Sequence, residues 1–340
     1  MLGNSLKNPL AELYHVELLT VQWLQNVLTP VEPALLLLSE HFKPAKLMDV
    51  YVPLVGAFNH QLLVRLVGAL GVINVISSLV KWSMPANRPY WWIREYNESS
   101  VLQQYHGTCE TTAAFPSSHC LSFTTFFYLV VLFLLPPCWR RLKLSTRHLS
   151  AICRALVILS ATCMSLSRIY LAAQFPHQCF ASCFGAIAAL HAFDRYSDNL
   201  YTLSRFRAVL IVFCGSIFPV VIYLGMLRLD LDPHWSVRMA FKWCMDPAQM
   251  RHEESSIFVL GRDFGYLMGV VLSAPLYKRY ENKTVIVKRL PILFVLEMLN
   301  HYARLETPKS YGRVAFVGYE FLRNAMHSFT LLTILPKTTT

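Results

Sequence analysis

Gln61-Leu-Leu-Val-Arg-Leu-Val-Gly-Ala-Leu-Gly-Val-Ile-Asn-Val-Ile-Ser-Ser-Leu-Val80 carries a single charge over a length that, wound as a helix, matches the hydrocarbon core of a bilayer. Lys81 follows at once. Cys120–Leu135, Ala151–Leu166, Ile169–Ala192 and Val209–Leu227 read the same way, as apolar stretches poor in charge. Ile257–Tyr277 is long enough but contains Arg262 and Asp263. Leu290–Leu299 is short, Val314–Leu335 contains Glu320 and Arg323, and Ala34–Phe58 contains Lys43, Lys46 and Asp49. Together these predict about nine crossings. With no internal repeat and no low-complexity linker, the expected architecture is all-α: one polytopic membrane bundle over residues 1–340.

Composition agrees. The 340 residues are 54% hydrophobic and 15% charged, against about 25% charged in soluble domains. The net charge of +11 would suit nucleic acid, but no soluble basic domain carries it, so membrane topology accounts for it instead. Cys120, Cys153, Cys163, Cys179, Cys183 and Cys214 lie in apolar stretches and read as small buried hydrophobes. No metal-ligand spacing appears. Cys109 and Cys244 fall in loops, and the sequence leaves a disulfide between them open. The first thirty residues lack the pattern of a cleaved signal peptide.

Cytoplasmic loops collect Lys and Arg. Arg140, Arg141, Lys143 and Arg147 crowd one loop, Arg195, Arg205 and Arg207 a second, and Lys278, Arg279, Lys283, Lys288 and Arg289 a third. Alternating spans put all three on one side. The Lys81–Pro116 loop and the Arg168 end then face the lumen or exterior. Asn97-Glu98-Ser99, a glycosylation acceptor, falls in that same loop. Asn282-Lys283-Thr284 also matches, but the same topology makes it cytoplasmic.

Three polar blocks stand at span ends on that outer side: Lys81 with Arg88-Pro89 seven residues on, Pro116-Ser117-Ser118-His119, and Ser167-Arg168 with Gln174 six residues further. Singly, each has a bland reading. Lys81 and Arg168 serve as snorkelling anchors, Arg88-Pro-Tyr-Trp-Trp92 as an interfacial aromatic belt, and the serines as helix caps. Jointly they offer three cations, an imidazole and helix-terminal amides on one membrane face. That set suits a phosphoryl group, through charge, bidentate geometry and proton transfer.

The order Lys-x6-Arg-Pro, then Pro-Ser-(Gly)-His, then Ser-Arg-x5-(His) resembles the phosphatidic-acid phosphatase and vanadium haloperoxidase superfamily. Lys81-Trp82, Arg88-Pro-Tyr-Trp-Trp92, Thr108-Cys-Glu-Thr111, Ser167-Arg-Ile-Tyr-Leu-Ala-Ala173 and Phe175-Pro-His-Gln178 resemble the glucose-6-phosphatase catalytic subunit family. The likeness covers essentially the whole chain and is densest from Lys81 to Gln178. It implies a multi-pass enzyme of the endoplasmic reticulum membrane, with a lumenal site that hydrolyses glucose 6-phosphate to glucose and phosphate in gluconeogenesis and glucose homeostasis. It further implies no metal and no cofactor, a sugar-phosphate substrate, the lipid bilayer and a glucose-6-phosphate transporter as partners, and no nucleic acid. By the same likeness Lys81, Arg88, Arg168, Ser117 and Ser118 would hold phosphoryl oxygens and His119 would protonate the leaving sugar oxygen.

The chain departs from that pattern at the position of the phosphate-attacking histidine, which is Gln174. A carboxamide cannot be that nucleophile, because its nitrogen lone pair is delocalised. Ser118 replaces a glycine. His177, one helical turn on, is a weak substitute. Lys337 is followed by Thr338 where a dilysine retrieval signal has its second lysine. Three readings follow: a glucose-6-phosphatase, standard or attenuated; a noncatalytic relative that binds phosphate or sugar phosphate; and a lipid-phosphate phosphatase, against which the Tyr90-Trp91-Trp92 and Thr108-Cys-Glu-Thr111 signatures argue.

Overall fold

A computed structural model describes residues 9–96, 102–105, 108–140, 145–244, 255–274, 286–308 and 312–337. Asn97, Asn282, Arg141, Lys143, Lys278, Arg279, Lys283 and Thr338 lie outside the described residues. Within them the chain is helical and contains no strand. In order the helices are α1 (Pro9–Val27), α2 (Glu32–His41), α3 (Pro44–Lys46), α4 (Val52–Phe58), α5 (His60–Ser83), α6 (Pro89–Tyr96), α7 (Ser118–Arg140), α8 (Thr146–Tyr170), α9 (Pro176–Thr202), α10 (Arg205–Arg228), α11 (Trp235–Trp243), α12 (Ser256–Ser273), α13 (Ile286–Leu305) and α14 (Arg313–Lys337). Their starts follow local chemistry. The side chains of Asn59, Ser145 and Ser204 accept hydrogen bonds from the amides of Leu62, His148 and Arg207, opening α5, α8 and α10.

Among the described residues five helices are long and apolar enough to cross a membrane: α5, α7 over Ser118–Leu135, α8, α10 and α12. The remaining expected crossings are less simple. Ala34–Phe58 is not one continuous span: α2 ends at His41, the chain restarts as a helix at Pro44, and Leu47–Tyr51 forms a π turn between α3 and α4. Leu290–Leu299 is the middle of a longer helix, α13. Ile169–Ala192 is also broken: α8 ends at Tyr170 and α9 begins at Pro176. Between them Ala172 adopts φ 51°, a left-handed conformation that costs a non-glycine residue about 1–2 kcal/mol. The turn is held by the Ala173 amide donating to the Arg168 carbonyl at 3.2 Å. α1 has no counterpart among the sequence expectations.

Several charged residues of α12, α13 and α14 are paired within the bundle. Arg262 pairs with Asp263, which also accepts from the Ser78 hydroxyl at 3.0 Å. Arg323 pairs with Glu320 and donates to Asn300 Oδ1 at 2.7 Å. His327 contacts Glu297 at 2.9 Å, and Asp49 of the π turn takes Tyr266 Oη at 2.6 Å and Arg304 at 2.9 Å. The helices themselves approach closely. A methyl group at Gly261 of α12 would lie 2.9 Å from Val317 of α14, at Gly265 it would overlap the Phe321 carbonyl, and at Gly269 the Ser328 hydroxyl. This is the small-residue stripe by which membrane helices bring their backbones together.

Gly265→Leu should therefore lower the melting temperature of the detergent-solubilised protein, with a loss of about 1–3 kcal/mol or more from overpacking. Gly225→Leu, where a side chain meets open space, should leave it unchanged. Equal effects of the two would show that the α12–α14 contact is not tight.

Candidate active site

The C-terminal ends of α5 and α8 and the N-terminal ends of α6, α7 and α9 gather at one end of the bundle, and the three polar blocks meet there. Lys81, Arg88, His119, Arg168 and Gln174 are all buried. Lys81 Nζ donates to the Ala113 carbonyl at 2.6 Å. Arg88 is wholly inaccessible. Its Nη1 donates to the Ala173 carbonyl at 3.0 Å, and its Nη2 to the Thr112 carbonyl at 2.7 Å and to Glu110 Oε2 at 2.9 Å. Its guanidinium also lies 5.4 Å from the Trp91 ring centroid. Arg168 Nη2 donates to Glu110 Oε1, and its Nη1 to Ser39 Oγ at 2.8 Å.

Glu110 is thus the counter-charge of the cluster, and the sequence reading did not single it out. The available signal was an acidic residue inside Thr108-Cys-Glu-Thr111, between two cationic blocks. Burial would push its carboxyl up, but Arg168 and Arg88 outweigh that and hold it well below the usual carboxylate range. Its backbone is pinned from several directions. Cys109 is disulfide-bonded to Cys244, with Cα atoms 5.8 Å apart, and the Thr111 carbonyl accepts from Ser236 Oγ at 3.0 Å. α11 in turn is fastened to α6 through Lys242 and Trp243, which both donate to Glu95 at 2.8 Å. Trp82 Nε1 donates to the Pro233 carbonyl at 2.9 Å just before α11.

His119 stands in the first turn of α7 with Nδ1 3.9 Å from Glu110 Oε1, too far for a hydrogen bond. Neither of its ring nitrogens has a partner, and neither does Arg168 Nε. Buried polar atoms normally find one, so these three mark where a polar ligand would be received. Among the described residues no group of three His, Cys, Asp or Glu side chains is placed to hold a metal ion.

Ser117 Oγ donates to Gln174 Oε1, and its amide donates to Ser182 Oγ at 2.7 Å. Ser118 lies at the edge, with Oγ 3.4 Å from Ser77 Oγ. Gln174 Nε2 donates to the Ala114 carbonyl at 3.1 Å. Both ends of the carboxamide are thereby engaged by the Ala114–Ser117 loop. His177 is placed differently. Its Nδ1 lies 2.5 Å from Glu17 of α1, its amide donates to the same carboxylate at 2.9 Å, and its ring stacks on Tyr14. α1 and α2 also brace the Arg168 end. Gln25 Nε2 donates to the Tyr170 carbonyl at 2.8 Å, Tyr170 Oη to Glu32 at 2.6 Å, and Ser167 Oγ to the Leu35 carbonyl at 2.7 Å.

Residues 62–202, which contain Lys81, Arg88, Glu110, Ser117, Ser118, His119, Arg168, Gln174 and His177, match the PAP2 superfamily model. Over 336 residues the chain is 24% identical to Glucose-6-phosphatase 2 of Homo sapiens, covering 94% of this chain and 93% of that one. Over 271 residues it is 29% identical to Glucose-6-phosphatase catalytic subunit 1 of Rattus norvegicus, covering 75% of each. Over 276 residues it is 29% identical to the same subunit of Canis lupus familiaris, covering 77% and 76%. No solved structure matches the chain significantly.

Arg168→Ala and Arg88→Ala should each remove most of the thermal protection that vanadate gives the solubilised protein. Protection of a binding-competent site reaches about 2.7 kcal/mol at a ligand concentration one hundred times Kd, so its loss is readily seen in a melting curve. Undiminished protection in both variants would make the cluster a set of interfacial anchors.

Proposed function

We propose that this membrane phosphatase hydrolyses glucose 6-phosphate to glucose and phosphate at the lumenal face of the endoplasmic reticulum, slowly, by direct attack of water. The observation that carries the reading is the buried cluster in which Arg88 and Arg168 converge on one anion position, held by the Glu110 carboxylate, beside an unpartnered His119. The substrate rests on the relatives, which are named as glucose-6-phosphatases. The lumenal placement is supported by the Cys109–Cys244 disulfide beside the site, since disulfides persist in oxidising compartments. The basic loops on the opposite side agree with it. A glucose-6-phosphate transporter as partner belongs to this proposal also.

In the mechanism, Lys81, Arg88 and Arg168 hold the equatorial oxygens of the phosphoryl group and offset the charge that shifts in transfer. Water attacks phosphorus in line as the bond from phosphorus to the sugar oxygen breaks. His119, protonated when the phosphoryl dianion is bound beside it, gives its proton to that oxygen; the attacking water, on the opposite side of phosphorus, releases its proton to solvent, from which His119 is reprotonated, so the products are glucose and hydrogen phosphate. Gln174 contributes no covalent step. Its carboxamide is committed to Ser117 and the Ala114 carbonyl and serves to position their loop. The same engagement favours a second reading, a phosphate-binding relative without turnover.

One measurement separates these routes. With a chiral, isotopically labelled phosphate ester, wild-type turnover should invert configuration at phosphorus, because one in-line displacement inverts it. Gln174→His should raise turnover at least tenfold and switch the outcome to retention, since two successive displacements restore the configuration. Gln174→His combined with Ser118→Gly tests whether the extra side chain obstructs the substrate. Retention by the wild type, lost in His177→Ala, would make His177 the nucleophile. Phosphate binding by the wild type with no turnover in any variant would establish the second reading.

Topology has its own check. The wild-type protein should lose mass on endoglycosidase treatment and Asn97→Gln should not. Protease access to the Lys81–Pro116 loop from the cytoplasmic side of sealed microsomes would overturn the lumenal assignment.

A further inference from the structure

We propose that Glu110 is the resident ligand of the anion site, a carboxylate that the phosphoryl group must displace in order to bind. Its two oxygens meet Arg88 Nη2 at 2.9 Å and Arg168 Nη2, with His119 Nδ1 at 3.9 Å. These are the groups that the phosphoryl reading assigns to substrate. The inference rests on that reading, although not on turnover.

Displacement follows from charge and from geometry. A phosphoryl dianion seated between Arg88 and Arg168 would lie against the Glu110 carboxylate, and two anions at contact distance in a low-dielectric pocket repel strongly. Some group must move, and the cations are the less free to do so. Arg88 makes three further contacts with backbone carbonyls of Thr112 and Ala173, and Arg168 is held by Ser39. The Glu110 backbone is also fixed. Cys109 is stapled to Cys244, the Glu110 amide donates to the Thr108 carbonyl at 2.8 Å, and the carbonyls of Thr111, Thr112 and Ala113 accept from Ser236, Arg88 and Lys81. The Glu110 side chain is left as the moving part. At 13% accessibility it is the most exposed member of the Arg88–His119–Arg168 cluster, so a change of rotamer can carry it toward solvent without opening the loop.

The arrangement serves the empty protein. Buried cations without a counter-charge are strongly unfavourable, and Glu110 supplies one until substrate arrives. The consequence is a trade between stability and affinity, in which the carboxylate competes with every incoming anion.

The test is the affinity of the full-length solubilised protein for inorganic phosphate, measured by calorimetry and by thermal protection. Glu110→Gln and Glu110→Ala should each melt lower than wild type without phosphate and bind phosphate at least tenfold more tightly. Their melting temperatures should approach that of the wild type at saturation. Folded variants with unchanged or weaker affinity would overturn the proposal. A gain in Gln lost in Ala would overturn it too, because that pattern means that residue 110 stays and donates to the anion. Variants that fold only when phosphate is present would support it, and variants that phosphate does not rescue would refute it. Arg168→Ala separates the two levels of inference. If wild type binds no phosphate, the phosphoryl reading fails. If wild type binds phosphate, Arg168→Ala does not, and the Glu110 variants behave as wild type, only the displacement fails.

Discussion

Arg88 and Arg168, both almost fully withdrawn from solvent, donate to the two oxygens of the single Glu110 carboxylate, and Lys81 lies buried beside them. Removing one partner from such a buried charge cluster typically costs about 3–5 kcal/mol. The surrounding structure can be understood as the means of supporting it. α5, α7, α8 and α9 bring four chain segments to one end of the bundle. α1 and α2 brace the Arg168 end, and α11 with the Cys109–Cys244 disulfide fixes the loop that carries Glu110. The carbonyls of Thr112, Ala113 and Ala173 complete the coordination of the cations. Under the proposed function, the same cluster that stabilises the fold is the one that receives the phosphoryl group.

The second half of the chain has a different physical basis. α12 and α14 meet backbone to backbone along Gly261, Gly265 and Gly269, where dispersion and carbonyl contacts replace a hydrophobic driving force that lipid does not provide. Arg323 pairs with Glu320, His327 with Glu297 and Arg304 with Asp49, which also accepts from Tyr266. None of these residues touches the Glu110 cluster. The match to the PAP2 superfamily model ends at residue 202, whereas the 336-residue alignment with the human relative continues beyond it.

Much of this was legible in the sequence, because the two strongest signals are local. Apolar length marks α5, α7, α8 and α10 directly, and Pro116-Ser117-Ser118-His119 marks the start of α7. The convergence of Lys81, Arg88, His119 and Arg168 followed from their placement at span ends on one face. What escaped depends on pairing across the fold. Glu110 is unremarkable until two arginines are found on either side of it. The glycine stripe of α12 has meaning only against α14. The break between α8 and α9 was hidden because Ile169–Ala192 contains no Asp, Glu, Lys or Arg, and the left-handed Ala172 and the initiating Pro176 divide it. The spacing offered His177 as a weak substitute nucleophile, and it held no sign that Glu17, more than a hundred residues earlier, contacts its Nδ1.

The most direct measurement of the account is an experimental structure of the protein with vanadate bound. The metal oxyanion should sit between Lys81, Arg88 and Arg168, within hydrogen-bond distance of a His119 nitrogen and of Arg168 Nε. The Glu110 side chain should be rotated away toward solvent, with no bond from vanadium to residue 174. Vanadate bound elsewhere while Glu110 still bridges the two arginines would contradict the central claim, and the cluster would then be a structural ion network rather than a phosphoryl site.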